Sequence, residues 1–147
     1  ARVVRGRATA TVRDDDAPVT LSVSDATVTE GADGATTATF TVTRSGPLFG
    51  TTTVDFATAD GTATAGSDYA AAAGTLTFAP GETTKTITVA VAGDTAVEPD
   101  EEFVVLLGTP VGGTVADGTG VGRIVNDDAA PPPAAPVAVA FAVANDW

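Results

Sequence analysis

The sequence contains no cysteine, histidine or methionine. Without cysteine the chain forms no disulfide bond, and without cysteine and histidine it lacks the usual ligands of a zinc site. The absence of histidine also excludes Ser–His and Cys–His catalytic pairs. No apolar run is long enough to span a bilayer, so we expect no membrane insertion.

Basic and aromatic residues are also scarce. Seven Lys and Arg residues stand against 19 Asp and Glu residues, which gives a net charge of −12 at pH 7, and aromatic residues make up only 5% of the chain. A charge of this sign argues against binding to nucleic acid or to an anionic membrane surface. Cations are therefore the partners that the composition favours.

Thr and Val alternate along most of the chain, a period of two that is typical of half-buried β-strands. Turn signals such as "EGADG" and "APGE" separate these segments, and no segment has a sustained helical period. The pattern predicts an all-β fold, a seven-stranded antiparallel immunoglobulin-like sandwich with Greek-key connections. The predicted strands are residues 19–30, 36–44, 51–59, 74–79, 83–91, 102–108 and 120–126.

Both ends of the chain differ from this body. Residues 6–18, "GRATATVRDDDAP", resemble residues 120–131, "GVGRIVNDDAAP", and Asp16 and Asp128 lie 112 positions apart. We therefore expect residues 1–17 to hold the last strand of a preceding repeat, ahead of a domain at 18–128. Residues 129–136 form a predicted Pro/Ala linker, and residues 137–147 the start of a following domain. We expect residues 7–13 to be disordered or to join a sheet edge of this or another copy by strand exchange.

Acidic residues concentrate at one end of the predicted sandwich. If successive strands alternate in direction, eleven carboxylates share one end, whereas the other holds only Glu82 and Asp117. Like charges held close together destabilise one another, but calcium takes about six to eight oxygen ligands in a flexible geometry that suits loops. The distribution predicts a calcium site, and magnesium fits less well because its octahedral geometry is stricter. The eleven are Glu30, Asp33, Asp60, Asp68, Asp94, Glu98, Asp100, Glu101, Glu102, Asp127 and Asp128.

Several motifs resemble those of the Calx-beta domain, a module of sodium–calcium exchangers and of many bacterial extracellular repeat proteins. They are "ATADGTATAGSDY", "GTLTFAPGETTKTITVAVAGDTAVEPDEEFVVLL" and "GRIVNDD", and the resemblance covers residues 18–128. It implies a seven-stranded sandwich that binds calcium at one tip.

The resemblance also implies a ligand set at that tip. Two positions depart from the family pattern: Gly93 stands where an acid is common, and Asn126 replaces the first acid of the closing triplet. Both departures imply fewer ions or weaker binding. The implied ligands are Glu30, Asp68, Asp94, the carbonyl of Ala96, Glu98, Glu101, Asp127 and Asp128.

Strand parity separates the acids of the segment "GDTAVEPDEEF". Glu101 shares a predicted strand face with Phe103 and Val105, so it points toward the mouth of the sandwich. Asp100 and Glu102 lie on the other face, where we expect ordinary surface charges.

The last eleven residues, "VAVAFAVANDW", resemble the opening strand of a family 2 carbohydrate-binding module of secreted bacterial hydrolases. In that family the tryptophan of such a stretch stacks on sugar, and here it would be Trp147. The segment is too short to bind cellulose by itself, so it indicates only the context of the domain.

These observations predict a calcium-stiffened spacer or interaction domain in a secreted, extracellular, multidomain bacterial protein. The alternative is a passive structural or adhesive sandwich, because acidic residues are also common in solvated turns. An enzyme is not expected. Paired carboxylates hydrolyse glycosides only when an apolar pocket raises the pKa of one of them, and these acids are predicted to be exposed.

Overall fold

The computed structural model describes residues 18–130, and all regular elements in this part of the chain are β-strands. No helix within it is long and apolar enough to cross a membrane. The expected linker beyond residue 130, the expected edge strand at residues 7–13 and Trp147 lie outside the described residues. The strands are β1 (Thr20–Val23), β2 (Ala26–Thr29), β3 (Ala35–Ser45), β4 (Thr52–Asp60), β5 (Ala73–Phe78), β6 (Thr84–Ala92), β7 (Glu101–Leu107), β8 (Thr114–Asp117) and β9 (Thr119–Val125).

Two sheets form a sandwich, which confirms the predicted all-β class. One sheet has the order β6-β3-β1-β8 and the other the order β2-β9-β7-β4-β5. Neighbouring strands pair antiparallel except β1 with β8 and β2 with β9, which pair parallel.

The structure has nine strands in residues 18–130 where the sequence predicted seven. The predicted strand at 19–30 is divided between the two sheets as β1 and β2, and β8 is additional. The chain crosses at Ser24 and Asp25: the backbone N–H of Ser24 donates to Thr41, and a carboxylate oxygen of Asp25 accepts a bond from Val121 N at 2.8 Å. A period of two continues through such a crossing, so the alternation alone does not reveal it.

Inward-facing residues of both sheets form the core. Alternate positions of β3 and β6 are buried, and Phe40 of β3 meets Phe103 of β7 edge to face, with ring centroids 5.8 Å apart. Gly122 of β9 lies over the Phe103 ring at a point where a Cβ atom would overlap it. The small residues of "GVGRIV" thus let β9 pack against the central aromatic pair.

The two ends of the sandwich are held by different contacts. We call residues 30–34, 60–72, 93–102 and 126–128 the acidic end, and residues 44–51, 79–83 and 108–113 the opposite end. At the opposite end the buried Arg44 donates to the carbonyl oxygens of Ala79 (3.2 Å), Pro47 (3.4 Å) and Gly50 (2.6 Å). One arginine therefore ties two of the three loops of the opposite end together.

Candidate metal centre

Backbone hydrogen bonds bring the segments of the acidic end together. Glu30 N donates to Val125 O at 3.1 Å, which joins the end of β2 to the end of β9. Gly93 N donates to Gly34 O at 2.9 Å, which joins the loop after β6 to the loop after β2. Side chains that are far apart in the sequence therefore meet at this end.

A first group of acids, the Glu30 cluster, consists of Glu30, Asp127 and Asp128. One carboxylate oxygen from each lies within 4.8 Å of the others. Asp127 is oriented by Gly31 N, which donates to its Oδ1 at 3.1 Å. Glu30 is only 6% exposed, and neither its Oε1 nor Oδ2 of Asp128 has a hydrogen-bond partner among residues 18–130. Buried oxygens without partners are costly, so this cluster is suited to a cation.

A second group, the Asp68 cluster, consists of Asp68, Glu98 and Glu101, and its carboxylate oxygens also lie within 4.8 Å of one another. Each of the three is half-buried. Thr64 N donates to Oδ2 of Asp68 at 2.7 Å and so fixes the orientation of that side chain. Glu101 belongs to the face of β7 that buries Phe103 and Val105, as the parity of the strand predicted.

The two clusters are electrostatically linked. Burial raises the pKa of Glu30 above its usual range, and the charges of Asp94, Glu98, Asp128 and Asp127 raise it further. Burial also raises the pKa of Glu101, with smaller contributions from Asp68 and Glu98. The charge of Glu98, a member of the Asp68 cluster, thus acts on Glu30 of the other cluster as well as on Glu101.

The pKa of Asp128 follows the same pattern. Burial raises it first, followed by the charges of Asp127 and Asp94. In the absence of a cation these side chains therefore repel one another, and a divalent ion would reverse the sign of that interaction.

The structure places the other acids of this end differently. Asp94 belongs to neither cluster, although its charge acts on Glu30 and Asp128; its Oδ1 accepts a bond from Ala96 N at 2.7 Å. Asp100 forms an ion pair with Arg123 at 2.7 Å and accepts a bond from Asn126 N at 3.2 Å. Glu102 is exposed.

Gly93 has a steric reason to be glycine. A Cβ atom there would lie 2.8 Å from Glu30 O and closer still to Gly31 O, so an acidic side chain does not fit unless the backbone after β2 moves. Asn126, the other departure from the family pattern, contributes to the acidic end: its Nδ2 donates to Asp128 O at 2.9 Å, and its buried Oδ1 has no partner among residues 18–130. Sequence reasoning missed this neutral oxygen because it counted charges.

The donor set consists of carboxylate and amide oxygens on loops and at the start of β7, with no nitrogen or sulfur ligand. Hard cations such as calcium prefer this chemistry and tolerate the irregular geometry of loops. Within residues 18–130 three side-chain oxygens are buried without partners: Oε1 of Glu30, Oδ1 of Asn126 and Oδ2 of Asp128. The residues present therefore fit a calcium ion.

Comparison with known proteins identifies the fold and the family pattern. The family model of the Calx-beta domain matches residues 14–129. The solved structure of the apo-form Calx CBD1 domain superposes with a TM-score of 0.68 at 28% sequence identity, covering 76% of this chain and all of that one. The calcium binding domain CBD12 of CALX1.1 superposes with a TM-score of 0.65 at 28% identity, covering 74% of this chain and 44% of that one.

Curated relatives match over a shorter stretch. Sodium/calcium exchanger 1 of Canis lupus familiaris is 52% identical over 66 residues, which is 45% of this chain and 7% of the exchanger. Sodium/calcium exchanger 2 of Rattus norvegicus is 50% identical over 54 residues, which is 37% of this chain and 6% of the exchanger. The chain thus matches only a small part of each exchanger.

One prediction is overturned by these relatives. The sequence predicted a secreted, extracellular protein, but the matching proteins are sodium/calcium exchangers, which are not secreted proteins. That prediction rested on the bacterial repeat proteins and on the short "VAVAFAVANDW" resemblance, and it is wrong. The bacterial source stays a prediction.

Proposed function

The chain belongs to the Calx-beta family, and on that premise we propose that residues 18–128 bind calcium at the acidic end and stiffen a junction between neighbouring domains. The observation that carries this proposal is the pair of buried, unpartnered oxygens, Oε1 of Glu30 and Oδ2 of Asp128, in a cluster whose oxygens lie within 4.8 Å of one another. An ion bound there would satisfy both oxygens and offset the burial and the charge repulsion that together raise the pKa values of these two acids.

The ligands come from segments that are distant in the sequence. Glu30 follows β2, Glu98 precedes β7, and Asp127 follows β9. Ions bound by these side chains connect the loops after β2 and β6 to the residues after β9 and reduce their relative motion. We propose one ion at each cluster, with Asp94 and the Ala96 carbonyl as further ligands.

Calcium would also affect the direction in which the chain leaves the domain. Asp127 and Asp128 are followed within a few residues by the Pro-rich stretch that begins at Pro131. Ordering the acidic end would fix the start of that stretch and hence the placement of whatever follows. This role requires domains on either side, as in the proposed division at residues 1–17 and 137–147, and it requires binding rather than catalysis.

Calorimetric titration of the chain with calcium, together with thermal melts in calcium and in EDTA, tests the proposal. A ligand at 100 times its Kd stabilises the folded state by about 2.7 kcal/mol, so the midpoint should rise clearly. An unchanged midpoint and no binding heat would contradict the proposal and leave a passive sandwich.

A pair of double variants locates the site. E101Q/D127N removes one acid from each cluster, and we expect it to weaken calcium binding strongly. E82Q/D117N makes the same chemical changes away from the acidic end and serves as the matched control. The control variant should keep the calcium-induced rise in midpoint, even if its calcium-free midpoint falls.

A further inference from the structure

Asp60, the last residue of β4, is a carboxylate at the acidic end that accepts two hydrogen bonds on one oxygen. Its Oδ1 accepts a bond from Ala65 N at 2.8 Å and a second bond from the hydroxyl of Tyr69. The Tyr69 bond, followed by the Ala65 bond, lowers the pKa of Asp60 below its usual range. Asp60 belongs to neither the Glu30 cluster nor the Asp68 cluster.

Tyr69 is fixed at both ends of its side chain. Its ring stacks on Phe103 of β7, with centroids 4.3 Å apart and planes inclined by 16°, and the residue is only 2% exposed. Burial and the bond to Asp60 raise the pKa of Tyr69 to about 12, so its hydroxyl stays protonated and donates at neutral pH. The position of Tyr69 is therefore set jointly by the core and by Asp60.

The residue before Tyr69 is Asp68, a member of the Asp68 cluster. Its carbonyl oxygen accepts a bond from Ala92 N at 2.9 Å, and its Oδ2 accepts the 2.7 Å bond from Thr64 N. One carboxylate oxygen of Asp68 is thus used within its own loop, and the other is free to take part in the cluster.

The same loop is attached to the start of β7. Ala63 N donates to Glu102 O at 2.9 Å, and Glu102 N donates to Oγ1 of Thr62 at 2.8 Å. Because Glu101 immediately precedes Glu102, these bonds set the distance between the loop that carries Asp68 and the strand that carries Glu101. Asp60 and Tyr69 fix the remaining, distal part of that loop.

We propose that Asp60, acting through Tyr69, is a positioning residue that preforms the Asp68 cluster for a divalent cation without binding the cation itself. This inference rests on the proposed calcium function and adds a residue that charge counting does not distinguish from a ligand. An ionised acceptor is suited to the task, because two donors converge on one oxygen and bonds to a charged acceptor are stronger than neutral ones. A preformed ligand loop binds more tightly, since less of the ordering cost is met at the moment of binding.

The test compares D60N and Y69F with the control D55N. Asp55 lies on the same strand and accepts a bond from the hydroxyl of Thr75, so D55N makes the same change to the same kind of bond away from the acidic end. Loss of partners that orient metal ligands typically weakens metal binding about 10- to 100-fold, and we expect D60N and Y69F to lose calcium affinity in this range. D55N should bind calcium like the unaltered chain.

Terbium luminescence provides a readout of binding close to Tyr69. Tyr69 is the single tyrosine of the chain and adjoins Asp68, so in a W147F background it sensitises terbium bound there. In that background D60N should shift the terbium titration to higher concentration, whereas D55N should not.

Several outcomes separate the possibilities. If D60N and Y69F lower the calcium-free and calcium-bound midpoints equally and bind calcium with unaltered affinity, Asp60 is only structural and the inference is wrong. If D60N fails to fold, Y69F decides, because it keeps the ring stacking and loses only the hydroxyl. If the unaltered chain binds no calcium, the proposed function itself fails, which is a different result from normal binding by all three variants.

Discussion

Replacing Glu30 by Gln tests the electrostatic basis of the site, because the substitution should stabilise the calcium-free domain and destabilise the calcium-bound one. Glu30 is buried, its Oε1 has no partner among residues 18–130, and its burial, together with the charges around it, raises its pKa. Gln has nearly the same size and shape, so E30Q removes the charge with little change in packing.

The magnitude follows from the geometry. Two like charges 4.8 Å apart, the upper limit for oxygens of the Glu30 cluster, repel by about 1 kcal/mol in water and about 3.5 kcal/mol at an effective dielectric constant of about 20. Asp127 is exposed and solvent screens its charge, so we expect E30Q to stabilise the calcium-free domain by about 1–2 kcal/mol. For a domain of this size that is about 4–8 °C in Tm.

Calcium should reverse the order of stability, so that the unaltered domain becomes more stable than E30Q. At 100 times its Kd, calcium stabilises the unaltered domain by about 2.7 kcal/mol. If E30Q weakens binding about 100-fold, the same calcium concentration stabilises the variant by only about 0.4 kcal/mol. Added to the gain of about 1–2 kcal/mol that E30Q has without calcium, this stays below the 2.7 kcal/mol that the unaltered domain gains.

The assay is differential scanning calorimetry of both proteins in EDTA and in calcium. E102Q is the control, since it removes one charge from the exposed face of β7. It should change neither the Tm in EDTA nor the calcium-induced rise in Tm by much. The reasoning is refuted if E30Q fails to raise Tm in EDTA, or if its calcium-induced shift equals that of the unaltered chain.

Three further predictions follow from the structure. The pKa values of Glu30, Glu101 and Asp128 are raised in the folded state, so the folded state binds more protons than the unfolded one. The Tm in EDTA should therefore rise as the pH falls from 7 toward the ordinary pKa values of these acids, 4.5 for Glu and 3.8 for Asp. Below those values Tm should fall, because the pKa values of Asp60 and Asp100 are lowered and their bonds are lost on protonation; melts across pH would reveal the maximum. G93A should destabilise the domain by about 1–3 kcal/mol in urea unfolding, and G93D should not bind calcium more tightly, because the added Cβ overlaps the Glu30 and Gly31 carbonyls. R44M should lower the free energy of unfolding by about 2–4 kcal/mol by leaving loop carbonyls without donors, yet calorimetry should show unaltered calcium affinity, since Arg44 lies at the opposite end.

Much of the fold could be predicted from the sequence, because apolar and polar residues alternate with the period of a β-strand. Alternation assigns each strand residue to a face, so the pattern identified β3, β6 and β7 to within one residue at each end. It also assigned Glu101 to the buried face and Glu102 to the exposed one, as the structure has them. The alternation continues from β1 through β2, so the crossing between sheets at Ser24 and Asp25 was not predictable from it.

The candidate site, like the fold, could be predicted from the sequence only in part. Charge counting identified the acidic end, and strand parity set Asp100 and Glu102 apart as surface charges, but a sequence does not show which hydrogen-bond partners each carboxylate has. The structure separates Asp60 and Asp100, which are bonded to Tyr69 and Arg123, from the acids of the two clusters. It also explains Gly93 by steric contact rather than by a missing charge.

The sequence by itself determined the strand content, the chemistry of the acidic end and the family, because period, composition and motif are local properties of the chain. Only the tertiary structure decided which acids meet, because Gly31 and the Asp127 carboxylate that it orients are 96 positions apart in the sequence. Their distance depends on how β2 and β9 pair, and that pairing depends on the packing of the whole sandwich. The grouping into a Glu30 cluster and an Asp68 cluster, linked through Glu98, is therefore a property of the fold.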